Sequence, residues 1–259
     1  MRRSARDWLD PLARFGFFAR GLVYVLVGLL SARAAFLTGR GVAGPSEALL
    51  TILEAPYGKF LLSALACGLF SFSLFRLGEA YFCRGKGALA VIAKAIGAVG
   101  TLVLGLSALS FLLHMRAGGD TSFLRTGARQ ILSYSWGRPL LVIGGLIAVG
   151  AGIAEVVKAF SGKLKDRLSR IELTSSQRSW ILRISRLGLL AHGLVVMLVG
   201  SFVVRAGVLS RAREVRSTGG ALRSIARFPY GAVLLGTVAI GLFAYGLSLW
   251  VLARHRAVD

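Results

Sequence analysis

Six stretches of this chain, roughly residues 14–37, 58–82, 90–114, 138–160, 183–207 and 231–253, are each long and apolar enough to cross a bilayer. A crossing helix takes about 20 mainly apolar residues. In hydrocarbon the backbone must satisfy its own hydrogen bonds, so only helices and closed barrels span. Runs such as GLVYVLVGLL, GTLVLGLSAL and LLVIGGLIAVGAGIA are apolar all the way round. They have neither the alternation of a barrel strand nor the single stripe of a surface helix. Hydrophobic residues make up 55% of the chain, more than one soluble core of this size absorbs. The sequence predicts an all-α polytopic membrane protein of six transmembrane helices, with residues 1–259 forming a single membrane domain.

The formal net charge is +21. The Lys and Arg residues fall almost wholly between the apolar runs, where they sit beside headgroups, and anionic lipid attracts each by about 1 kcal/mol. The expected partners are therefore membrane lipids with anionic headgroups. A partner membrane protein docking on the basic loop that carries Arg211, Arg213, Arg216, Arg223 and Arg227 is a further candidate, and nucleic acid is not expected. The two cysteines, Cys67 and Cys83, belong to one apolar helix and cannot pair, and His114, His192 and His255 are too scattered for a ligand motif. No metal and no cofactor is expected.

The chain repeats itself. RFGFFARGLVYVLVGL (14–29) aligns without a gap on RLGLLAHGLVVMLVGS (186–201), so the first run reads as a membrane helix and not as a cleaved signal. ALLTILEAPYG (48–58) matches ALRSIARFPYG (221–231), and GARQILSYSWG (127–137) is a worn middle version. Each places an aromatic residue (Tyr57, Trp136, Tyr230) before the glycine that opens the next span, after a short interfacial helix. Three tandem helix-pair repeats follow, at 12–83, 88–162 and 183–254, with a basic linker at 163–182. Each repeat crosses twice, so all three enter from the same side and are parallel. The side bearing the termini carries twelve loop Lys and Arg against eleven opposite, and helix-edge residues add to that excess. The expectation is a multi-pass protein of the inner (cytoplasmic) membrane with cytoplasmic termini.

The pattern R-x-G-x-x-A-R-G-x-x-Y from Arg14 to Tyr24, its echo from Arg186 to Val196, the P-Y-G helix starts and the linker KAFSGKLKDRL (158–168) resemble the 1206 family of domains of unknown function. That resemblance covers nearly the whole chain and implies a bacterial membrane protein of three helix pairs, without implying a mechanism. The chain departs from the pattern where His192 replaces the arginine in the third repeat and Thr101 stands near its place in the second.

Ionisable groups inside a span cost about 2.5–3.5 kcal/mol at the centre and tend to face a partner or a wet cavity. Here Arg20 and His192 lie early in the first and fifth helices, and Arg76, Glu79, Glu155 and Lys158 lie late in the second and fourth. These ends share one side of the membrane, so the six form a polar cluster at one depth. Arg20 is expected to pair with Glu79 or Glu155, either as a static lock or as the lining of a site. Gly21, Gly28, Gly193 and Gly200, together with a Gly144–Ala148–Gly152 ladder, read as helix-packing positions. GRGVAG (39–44) has the spacing of a dinucleotide-binding loop but not its strand–helix setting.

No nucleophile–base pair, zinc-protease motif or phosphate loop is recognisable, so no catalytic residue is assigned. Three readings follow: a non-catalytic structural or accessory helix bundle, a small-solute or ion pathway between the repeats, and an intramembrane enzyme.

Overall fold

A computed structural model describes residues 2–38, 44–82, 88–113, 119–161 and 175–255, with side chains over 13–36, 44–78, 97–113, 124–161 and 178–254. Among the described residues the fold is all-helical. The long helices are α1 (Arg2–Arg33), which ends in a π-helical turn at Ala34–Thr38, α3 (Gly58–Phe82), α4 (Ala88–Leu112), α6 (Gly137–Phe160), α7 (Ser175–Leu209) and α9 (Gly231–His255). Three short helices connect them in pairs: α2 (Pro45–Glu54), α5 (Gly119–Leu132) and α8 (Thr218–Ala226).

Among the described residues, five spans are long and apolar enough to cross a membrane: Ala13–Phe36, Gly58–Gly78, Gly137–Phe160, Arg178–Leu209 and Gly231–Arg254. The described apolar part of α4 is Gly97–Leu112. Two helices begin earlier than their apolar runs suggest. α1 starts at Arg2, and α7 starts at Ser175, inside the stretch read as linker. No glycine or proline interrupts residues 175–187, and arginine stems tolerate the interface, so the helix propagates outward. Residues 163–174, Cys83, His114 and most of GRGVAG lie outside the described residues; Gly44, its last residue, caps α2.

The six long helices form a ring in chain order. The most extensive contacts are α6 on α7, α1 on α9 and α3 on α4, which join the second helix of one pair to the first helix of the next. The two helices of a pair, α1 with α3 and α7 with α9, touch less, and α4 with α6 least of all.

Glycine explains the closeness. A Cβ on Gly21 would lie 2.9 Å from the Gly246 carbonyl oxygen, and one on Gly28 would lie 2.6 Å from the Phe243 nitrogen. On the other side of the ring, Gly193 faces the Gly152 oxygen at 2.8 Å and Gly200 faces the Val149 nitrogen at 2.8 Å. Such crossings need hydrogen in place of a side chain. At α3–α4, the hydroxyl of Ser73 donates to the Ala98 oxygen at 3.0 Å, and Gly105 lies against the Phe70 ring.

The ladder read at Gly144, Ala148 and Gly152 is thereby corrected. Gly145 and Gly152, seven residues apart, make the contact with α7, while a Cβ on Gly144 meets no described atom within 4 Å. A seven-residue spacing stays on one face of a helix crossing its neighbour at a shallow angle, whereas Gly144 is rotated about 100° away.

One end of the ring is covered by the connecting helices. Pro45 sits in the first turn of α2, and the Gly44 amide donates to Glu47 Oε2 at 2.9 Å, fixing the start of that helix. Gly44 and Gly219 bring α2 and α8 into backbone contact, and Arg223 bridges to Glu47 at 2.7 Å. Arg125 of α5 donates to the Val215 oxygen at 3.2 Å. Leu49 and Leu222 are fully buried beneath this cap, and Ala128 occupies the matching place in the middle repeat. The chain then reverses sharply into the next span. Tyr57 and Tyr230 hold positive φ (60° and 61°), and a Cβ on Gly58 or Gly231 would strike the preceding helix's carbonyls.

Candidate functional site

Three of the polar groups predicted from sequence, Arg20, His192 and Glu155, converge toward the end of the ring opposite the cap. Arg20 of α1 is 8% exposed and His192 of α7 is 4% exposed, and both point inward. An Arg20 Nη2 donor reaches His192 Nε2 at 3.5 Å, and the Tyr24 hydroxyl donates to the same nitrogen at 3.0 Å. Arginine can only donate, so Nε2 accepts and the ring proton sits on Nδ1. That proton is donated to Glu155 Oε2 of α6 at 2.5 Å. Arg20 and Glu155 are coupled through His192, not paired directly.

Aromatic rings enclose the chain of bonds. Tyr245 of α9 stacks on the His192 ring at 4.2 Å and 13°, and Tyr24 meets both rings edge-on at 5.1 Å. The Arg20 guanidinium lies 4.9 Å from the Phe72 ring centroid, and Arg76 lies 5.4 Å from the same centroid. Such contacts offset part of the cost of a cation away from water. The glycine crossings make these distances attainable. Gly193 adjoins His192, and a side chain there would crowd Glu155 Cβ at 3.3 Å. Gly16 and Gly188 admit the backbones of Phe72 and Tyr245 in the same way.

Of the six groups read as a cluster, the structure brings Arg20, His192 and Glu155 together by hydrogen bonds, with Arg76 beside them. Lys158 is exposed, one turn beyond Glu155. The side chain of Glu79 lies outside the described residues. Tyr24, Phe72 and Tyr245 complete the site and were missed, because an aromatic residue inside an apolar run looks like ordinary core. The repeat register could have found two of them, since Phe72 and Tyr245 both stand fourteen residues after a helix-opening glycine. The register also corrects the middle repeat. Arg20 and His192 precede the crossing glycines Gly28 and Gly200 by eight residues, and the residue eight before Gly105 is Gly97. Thr101 instead matches Tyr24. It is buried, and its hydroxyl donates to the Gly97 oxygen at 3.0 Å.

Chemically, this arrangement locks five helices to one another and leaves one donor of Arg20 unspent. Its Nε is buried with no hydrogen-bond partner.

The family model described as Domain of Unknown Function (DUF1206) matches residues 15–82 and 187–256. These regions coincide with the stretches read from sequence as the first and third repeats, a narrower match than the near-complete resemblance read from the motifs. The middle repeat, where Gly97 and Ala151 replace the large residues of the site, falls outside it. A relative from Bacillus subtilis (strain 168), "Uncharacterized protein YxxB", is 24% identical over 259 residues, covering 95% of this chain and 91% of the relative. No solved structure matches.

Proposed function

Because the chain belongs to the DUF1206 family, whose description assigns no activity, we propose a role from its own geometry: a non-catalytic accessory helix bundle acting on lipid or on a partner membrane protein. In this reading α4 is the sixth span and the three helix pairs are parallel repeats. The bundle lies in the bacterial inner membrane with both termini cytoplasmic. The observation that carries it is the cap. α2, α5 and α8 are joined to one another and to the loop before α8 through the Gly44–Gly219 contact, the Arg223–Glu47 bridge and the Arg125–Val215 bond, with Leu49 and Leu222 fully buried beneath them. A solute path along the ring axis would have to break these contacts. The polar cluster supports the same reading, because its hydrogen bonds tie helices to one another.

The test is flux from sealed vesicles containing the purified full chain. Proton, potassium, chloride and phosphate release should match protein-free vesicles. Saturable flux that disappears in Arg20→Gln would overturn the proposal in favour of a pathway.

A further inference from the structure

The three repeats do not fill the ring equally. At the depth of the polar cluster, the first repeat contributes Arg20 and Phe72 and the third contributes His192 and Tyr245. The middle repeat contributes Gly97 and Ala151 at the same register. A third of the ring therefore lacks large side chains where the other two thirds have them. The helices have not closed up to compensate, since α4 and α6 touch least of all ring neighbours. A Cβ on Gly97, Gly100 or Gly144 would meet no described atom within 4 Å. Gly144, Ala148, Ala151 and Glu155 follow one another at helical spacing along one face of α6. The seam between α4 and α6, called the α4–α6 cleft below, is thus loosely packed and lined by small residues.

Arg20 stands on α1, across the ring from α4 and α6. Its guanidinium touches Phe72 on α3 and His192 on α7, the two helices that flank the α4–α6 sector. It is 92% buried by the 8% exposure of the residue, and Nε has no hydrogen-bond partner. A guanidinium has five N–H donors; here the Nη2 bond to the His192 ring nitrogen is long, at 3.5 Å, and Nε reaches no acceptor. Buried donors left unspent call for an acceptor. Glu155 already accepts from His192.

We propose that the α4–α6 cleft binds an anionic phospholipid, with its phosphate accepting from Arg20 and an acyl chain lying along Gly97, Gly100, Gly144, Ala148 and Ala151. This rests on the accessory-bundle reading and names its ligand. The planar fork of arginine matches a phosphate in shape and charge. The cleft opens sideways between two apolar helices while the cap covers the far end of the ring, so the ligand enters from the bilayer. A free anion would gain nothing from the small-residue groove, whereas an acyl chain gains its length in contacts.

Native mass spectrometry of the full chain, released from micelles doped with phosphatidylglycerol and phosphatidylcholine of matched chains, tests this. The wild type should retain phosphatidylglycerol preferentially. Ala151→Phe, which installs the bulk found in the other two repeats, should weaken that retention roughly tenfold by displacing the acyl chain's contacts, without lowering the melting temperature. If Ala151→Phe melts early, Gly97→Val carries the same expectation. Equal retention of both lipids, unchanged retention in the well-folded variant, or displacement of the lipid by millimolar inorganic phosphate would each overturn the proposal. So would retention of oleate in place of phosphatidylglycerol. Any of these results in vesicles that stay tight leaves the accessory bundle standing, while a leak removes that reading whatever the lipid result.

Discussion

His192 has two hydrogen-bonding edges, and the fold uses them to connect groups of opposite charge that would otherwise be stranded in hydrocarbon. Removing either end of such a chain leaves the other uncompensated, and breaking a buried pair from one side costs about 3–5 kcal/mol. Arg20→Met and Glu155→Gln should each lower stability in detergent by a few kcal/mol on that scale. The double variant should cost less than the two together, with a coupling of roughly 1–3 kcal/mol read from thermal unfolding of the four proteins. Strict additivity would mean that His192 does not transmit between them. Sequence alone located Arg20, His192 and Glu155, because an ionisable group in a span is expensive and stands out. It could not say that His192 lies in the middle, since that depends on how far α1, α6 and α7 are rotated about their axes. Tyr24, Phe72 and Tyr245 were invisible for the opposite reason: a buried ring carries no cost that marks it.

The helices themselves were legible where glycine and a boundary aromatic mark their starts, as at Gly58, Gly137 and Gly231, and less so where charged residues simply continue the helix, as before Arg14 and Arg183. Packing was harder to read. A shift of one residue along a helix turns the contact by about 100°, so Gly144 and Gly145 are equivalent by composition but opposite in consequence. Replacing Gly200 by Leu would drive Cβ toward the Val149 nitrogen and Gly145 oxygen, at 2.8 and 2.9 Å. Backbone cannot yield as a side chain can, so the loss should be about 3 kcal/mol or more. Gly144→Leu meets open space and should leave melting and size-exclusion behaviour close to wild type, with any small gain coming from helix propensity. A reversal of that order would place the α6–α7 crossing on a different face.

At the scale of the whole molecule, the basic residues look nearly balanced across the membrane until their bonds are considered. On the capped side Arg125 donates to the Val215 oxygen at 3.2 Å, Arg138 to the Val208 oxygen at 3.4 Å, Arg216 to Ser224 Oγ at 2.6 Å and Arg223 to Glu47 at 2.7 Å. These four have a structural reason to be there, since they fasten connecting segments and helix ends, Arg125 and Arg138 through carbonyls and Arg216 and Arg223 through side chains. The loop count itself is twelve beside the termini against eleven on the capped side, and helix-edge residues add to that excess. Cytoplasmic retention of lysine and arginine then favours termini inside and the cap outside. A fluorescent protein fused after Asp259 should fold and fluoresce in bacterial cells, while alkaline phosphatase fused there should be inactive. The same phosphatase inserted in the α5–α6 turn near Ser135 should be active. The opposite pattern would turn the molecule over, carrying the α4–α6 cleft and Arg20 to the outer leaflet, and would move any lipid they hold to that side.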